Sequence, residues 1–270
     1  MSRFKSHKFC SKSTKALCQP QSVFPDTFQE IAIHGSTFML LRVIDIETTG
    51  MAPPAEIIDF GRTDVISDND GWRTDRPMSR LYKPLNGIPP ETMAVHHITE
   101  EDFTADTPPC SDELLHKAVW GGDKPDALVA HNCEFERKFI PDTATEGLPW
   151  ICTLKVAMRV WPDAPAHSNQ VLRYWRGLKL DNALAMPPHR AAPDAWVTAH
   201  LLMDLLKVAS VEEMIGWTRE PKLLPKIPFG KHRGLAWGDV PLDYLHWLTG
   251  QRDMDPDAVW CAKQEISRRQ

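Results

Sequence analysis

No run in this 270-residue chain approaches the roughly 18 consecutive apolar residues of a membrane helix, so none is expected. Cysteine is sparse and unpatterned. Cys10, Cys18, Cys110, Cys133, Cys152 and Cys261 make no C-x-x-C or other zinc spacing, which argues against a zinc module or a disulfide framework and suits free thiols in a reducing cytoplasm. An excess of positive charge is also missing. With 31 Lys+Arg against 36 Asp+Glu the formal charge is -5, so no overall basic field draws the chain along a nucleic-acid backbone, and any such contact must be local. Repeats and a secretory apolar segment are lacking too. Acidic residues are absent before Asp26, while Arg3, Lys5, Lys8, Lys12 and Lys15 stand among serines. Residues 1–38 are therefore expected to be a disordered basic extension, with Met39 immediately before the first convincing strand.

From Leu40 onward short β-like runs alternate with helical periodicity, the pattern of a layered α/β domain. Leu40 to Ile46 reads as a buried strand, and residues 56–66 and 78–82 as alternating strands able to form an antiparallel meander with it. Helices are expected at Pro89–His96, Asp112–Trp120, 154–161 and 168–176, the last capped by Ser168. Further strands fit Asp126–Ala130 and Trp150–Thr153. A long amphipathic helix runs from about Asp194 to Leu206, and a Pro- and Lys-rich stretch at 219–228 leads into a small C-terminal unit. The expected division is 39–210 for the main domain and 219–270 for a basic turn and helical unit. In that unit Pro241 opens a helix with Leu242, Leu245 and Leu248 directed inward.

Three places carry the chemistry. Val43-Ile44-Asp45-Ile46-Glu47-Thr48-Thr49-Gly50 ends a strand in two carboxylates one residue apart. Residues i and i+2 share a strand face, so Asp45 and Glu47 stand side by side and call for a cation between them. A hard divalent metal is one answer, and a solvated strand end is the other. Next, Asn132 is placed to cap the helix following the fourth strand. In that helix Glu136 shares the inward side with Phe139 and Ile140, where a carboxylate needs a metal, a water or a basic partner; a rim position paired with a Lys or Arg is the alternative. Finally, Asp194 heads the long helix in line with Val197, Leu201 and Leu205, and His189 precedes it on a Pro-rich loop. Alone, each of these two is an ordinary helix-start acid and an ordinary solvated imidazole.

Taken together, Asp45-x-Glu47, Asn132-x-x-Phe135-Glu136 and His189-x-Ala191-x-x-Asp194 resemble, in order, the three motifs of the DEDDh exonucleases of the proofreading superfamily. Ala94-Val95-His96-His97-Ile98-Thr99 is similar to the family's H-G-I-T segment, and the resemblance continues through Trp150–Lys155 and Phe229–Gly234. It implies a ribonuclease-H-like fold: a mixed five-stranded sheet flanked by helices, here with a small C-terminal appendage. It also implies 3′-5′ exodeoxyribonuclease activity releasing 5′-mononucleotides, with DNA repair as the setting. Two divalent cations, Mg²⁺ or Mn²⁺, would be held by Asp45, Glu47, Glu136 and Asp194, with His189 as general base. The family has aspartate where this chain has Glu136, one methylene longer. The expected substrate contacts are Thr48, Thr49, Gly50, Met51, His96, Asn132, Lys231 and Arg233, on single- or double-stranded DNA 3′ ends. An exoribonuclease of the same fold and a catalytically weakened DNA-end-binding module are the alternatives.

Overall fold

The computed structural model describes residues 38–270, so the expectation for the basic extension falls, apart from Phe38, outside the described residues. Among the described residues six strands are present: β1 (Met39–Thr48), β2 (Ile57–Asp68), β3 (Gly71–Thr74), β4 (Met78–Leu81), β5 (Ala127–Ala130) and β6 (Trp150–Cys152). They form a mixed sheet five strands wide, in the order β3-β2-β1-β5-β6. β4 adds no sixth position, because β3 pairs with residues 65–68 of β2 and β4 with residues 59–62 along the same edge. β1 is antiparallel to β2 and parallel to β5, which is parallel to β6.

The helices are α1 (Pro90–His96), α2 (Asp112–Trp120), α3 (Glu136–Phe139), α4 (Asp142–Thr145), α5 (Thr153–Val160), α6 (Asn169–Trp175), α7 (Asn182–Ala185), α8 (Ala191–Leu205), α9 (Val211–Arg219), α10 (Leu242–Thr249) and α11 (Pro256–Arg268). Strand alternation divides the core between the two faces of β1. Leu41 and Val43 join Val65, Val129 and Ile151 under α8, which contributes Ala195, Val197, Leu201, Leu202 and Leu205. Ile44 and Ile46 point the other way, toward Phe60, Leu128 and the α2 residues Leu115 and Val119. On that second face Arg42 is fully enclosed and makes a two-pronged pair with Asp64, Nε to Oδ1 at 2.8 Å and Nη2 to Oδ2 at 2.7 Å. Asp45 and Glu47 continue the column of Leu41 and Val43, on the α8 side.

One glycine fixes where α8 lies. A Cβ on Gly61 of β2 would sit 2.1 Å from the carbonyl carbon and 2.2 Å from the oxygen of Ala191, so the first turn of α8 rests directly on strand backbone. Gly61→Ala must push α8 away, at a cost of about 3 kcal/mol. We expect a drop in melting temperature of roughly 6–12 °C, together with loss of function, since α8 carries Asp194. Retention of both wild-type values in calorimetry and assay would remove this contact from the account.

Several sequence expectations are corrected here. α8 begins at Ala191 rather than Asp194, because Pro193 fits within the first turn, where no N–H is needed. Ser168 stands at the N-cap of α6 but its hydroxyl accepts no capping bond. Asn132 is not a cap either: it turns the chain at φ 76°, its carbonyl accepts from Phe135 N–H at 2.9 Å, and α3 starts after Phe135. Leu242 is 42% exposed, whereas Leu245 and Leu248 are buried. These two belong to an apolar cluster of the C-terminal segment itself, with Ile227, Trp237, Val240, Ala258, Cys261 and Ala262.

Candidate active site

The C-terminal end of β1 opens into a cleft of about 400 Å³, lined among others by Asp45, Glu47, Thr48, Gly50, Met51, His96, Asn132, Glu136, His189 and Asp194. Each acid arrives by a different local rule. β1 alternation brings Asp45 and Glu47 to one face. Helical spacing turns Asp194 inward with Val197 and Leu201, and α3 buries Glu136 at its first position. One carboxylate oxygen from each of Asp45, Glu47 and Asp194 lies within 4.8 Å of the others. Glu136 lies outside that trio at 3% exposure, and its Oε2 has no hydrogen-bond partner among the described residues. Glu134 takes the rim position considered for Glu136: it is exposed and meets Lys155 Nζ at 2.8 Å and Lys222 Nζ at 3.2 Å.

Such crowding is costly to ionise. Burial, then repulsion from Asp194, Glu47 and Glu136, holds the Asp45 carboxyl well above its usual range. Glu47 is pushed up to about 8, first by burial and then by Asp194 and Asp59, with Arg190 opposing. Burial also raises Glu136 strongly, and raises Asp194 in spite of hydrogen bonds from His189 and Gln170. An all-oxygen donor set with an unpartnered buried oxygen beside it fits hard divalent cations.

The frame around the acids includes residues that carry no sequence signal. Asp59 of β2 is 1% exposed, accepts from Ala191 N–H at 3.3 Å and from the Ser79 hydroxyl, and lies 3.5 Å from Arg190 Nε. It ties the start of α8 to the sheet. Gln170 donates to Asp194 Oδ1 at 3.3 Å, and Asn169 to the Asp194 carbonyl at 3.1 Å. The main-chain N–H of His189 donates to Asp194 Oδ2 at 2.7 Å, with His189 at φ 60°.

Three imidazoles line the cleft, and their hydrogen bonds separate them. His131 is held between the His167 carbonyl at Nε2, 2.7 Å, and the Thr153 hydroxyl at Nδ1, 2.9 Å. Nε2 must therefore carry the proton, and burial pushes this ring's pKa down to about 4, so it stays neutral. His96 accepts from Ile98 N–H through Nδ1 at 3.0 Å, which puts its proton on Nε2, an atom with no partner among the described residues. The following His97 takes the left-handed conformation at φ 56°, where the H-G-I-T pattern has glycine. The His189 side chain is exposed at the mouth, and its ring has no protein hydrogen bond among the described residues.

Of the expected substrate contacts, Thr48, Gly50, Met51, His96 and Asn132 line the cleft. Met51 projects from it at 75% exposure. Thr49 does not line it: its hydroxyl accepts from Glu56 N–H at 2.9 Å and its amide donates to the Glu56 carbonyl, which fastens the loop. Lys231 and Arg233 also lie outside the lining. Ile46, Thr92, Val95, His131 and Phe135 complete it, none of them among the expected contacts.

The Exonuclease family model (RNase_T) matches residues 43–202, a span that encloses all four acids and His189. Exodeoxyribonuclease 10 of Escherichia coli (strain K12) is 37% identical over 224 residues, 81% of this chain and 94% of that protein. A PolC-type DNA polymerase III of Listeria monocytogenes is 30% identical over 189 residues, 67% of this chain and 12% of that longer protein. Among solved structures, exonuclease X in complex with 5′ overhanging duplex DNA matches with a TM-score of 0.53 and 34% identity, over 66% of this chain and 99% of that one. Its fold and that of residues around the cleft are the same ribonuclease-H-like sheet with flanking helices. No helix among the described residues is long and apolar enough to cross a membrane. On the extent of these matches, the chain belongs to the Exonuclease family, in its DEDDh branch, and is a 3′-5′ exonuclease, an enzyme that hydrolyses phosphodiester bonds.

Proposed function

We propose that the chain is an exodeoxyribonuclease that shortens DNA from its 3′ end, releases 5′-mononucleotides and serves DNA repair. The observation that carries the chemistry is the convergence of Asp45, Glu47, Asp194 and buried Glu136 on one cleft. DNA as substrate is favoured by the likeness, over most of the chain, to an exodeoxyribonuclease and to a structure bound to duplex DNA.

Asp45, Glu47 and Asp194 would hold divalent cations, two Mg²⁺ or Mn²⁺, with Glu136 in support. When bound, these ions supply charge neutralisation for the attacking and departing oxygens of an in-line displacement. The imidazole of His189 takes the proton from the attacking water. His96 offers its Nε2–H to the substrate as a neutral donor, which avoids adding positive charge beside the acids. The Thr48–Gly50 backbone and Asn132 position the terminal nucleotide, and Met51 wedges against its base. The Thr48 hydroxyl donates to the Gly50 carbonyl at 2.6 Å and fixes that turn.

We further assign hydrolysis to 39–210 and additional nucleic-acid grip, through Lys231 and Arg233, to 219–270. The separate apolar cluster of the C-terminal segment supports that division. The test uses 3′ end-labelled DNA and RNA of one sequence, with Mg²⁺ and with EDTA. Labelled mononucleotide should leave DNA faster than RNA and only with the metal. Preferential digestion of RNA, or undiminished rates in EDTA, would overturn the proposal.

A further inference from the structure

A second concavity, also of about 400 Å³, lies on the C-terminal segment and is lined by Lys231, Asp243, Tyr244 and Trp247. Trp247 is 50% exposed although the cluster of Leu245 and Leu248 lies next to it on the same helix. Its ring is 5.2 Å from that of Tyr244 with an interplanar angle of 32°, and His232 braces Tyr244 edge-on at 4.5 Å. The turn at Gly230, φ 67°, is docked on the same tyrosine: a Cβ there would sit 2.7 Å from the Tyr244 hydroxyl. This close approach carries Lys231 Nζ to 5.3 Å above the Tyr244 ring.

The surrounding charge is directional. Lys226, Lys231 and Arg233 are exposed, and none pairs with a carboxylate among the described residues. Lys222 of the same basic stretch is different, being engaged with Glu134 and Asp257 at 3.2 and 3.8 Å. Asp243 uses Oδ1 to accept the Tyr244 amide at 2.8 Å, which leaves Oδ2 for a partner. A half-exposed Trp247 face backed by Tyr244, cations without a carboxylate partner and one carboxylate match a nucleotide: base on ring, phosphate on ammonium, and base N–H on carboxylate.

We propose that this concavity is a second nucleic-acid site, in which Trp247, backed by Tyr244, stacks an unpaired base of single-stranded DNA while Lys231 and Arg233 hold the flanking phosphates. A paired base in a duplex already has both faces stacked and cannot use the platform. The proposal rests on DNA being the substrate. It adds a point of grip outside the catalytic cleft, so it predicts that binding and chemistry separate.

The full chain is titrated with a fluorescein-labelled 20-nucleotide oligothymidylate in EDTA, which keeps the strand intact, and followed by anisotropy. Trp247→Ala should weaken binding about tenfold, whereas Trp247→Phe keeps most of the affinity. Lys231→Gln should weaken it less and flatten the dependence on salt. Turnover of a four-nucleotide substrate with Mg²⁺ should be unchanged in Trp247→Ala, because that residue is outside the cleft. Wild-type affinity in Trp247→Ala overturns the site. Displacement of the strand by equimolar thymidine monophosphate overturns its assignment to a strand and gives it to free mononucleotide. Failure of the wild-type chain to cut DNA defeats the substrate assignment instead, and is read in the turnover arm alone.

Discussion

Asp45→Asn is expected to lower exonuclease turnover by at least about 10³-fold, roughly 4 kcal/mol, while raising the melting temperature of the metal-free protein. The two effects have one cause. Asp45 sits among Asp194, Glu47 and Glu136, and burial together with their repulsion holds its carboxyl far above the ordinary range. An amide of the same shape removes a charge that folding disfavours, but it also removes an oxygen donor at the centre of the proposed metal-binding set. The sign of the pH dependence follows from Glu47. Its carboxyl titrates near 8 in the fold against about 4.3 in an unfolded chain, so between those values the folded state binds more protons. Metal-free stability therefore falls as pH rises through that window, and the penalty is complete above pH 8. Divalent cations offset it by neutralising the carboxylates, so Mg²⁺ should raise the melting temperature more at pH 8 than at pH 5.5. Thermal denaturation with EDTA and with Mg²⁺ at both pH values checks this. A metal-free protein that becomes more stable toward pH 8 would contradict the crowding argument.

The acids were legible because their placement obeys local periodicity. A strand sets Asp45 beside Glu47, and helical spacing aligns Asp194 with Val197, Leu201 and Leu205. What escaped depends on approaches between distant segments. Asp59 looks like any strand acid, and its bond to Ala191 spans 132 positions. Gln170 has no sequence mark for its contact with Asp194. Thr49 shows the opposite error, since it belongs to a suggestive motif but is used internally, by Glu56. β3 is four residues with no fully buried position, so it lacks an apolar signature. α9 did carry a signal: Ser210 and Glu213 form a capping box at its start, a pattern that outweighs its modest apolar content.

His189→Ala should reduce kcat by about 10²- to 10⁴-fold, with DNA affinity in EDTA unchanged. The case for this ring is made by elimination among the three imidazoles of the cleft. His131 has both nitrogens committed, to Thr153 and to the His167 carbonyl. His96 spends its acceptor nitrogen on Ile98 N–H and presents only a donor. His189 alone keeps a ring free of protein hydrogen bonds, at the mouth beside Asp194. Its structural duty is done by the main chain, through the N–H that reaches Asp194 Oδ2 at 2.7 Å, and alanine preserves that bond. Loss of activity in this variant thus reports the imidazole rather than a displaced carboxylate. The residual activity of His189→Ala should keep its requirement for Mg²⁺. A variant with the wild-type rate would take the proton transfer away from His189 and leave it as a loop residue that happens to face the substrate.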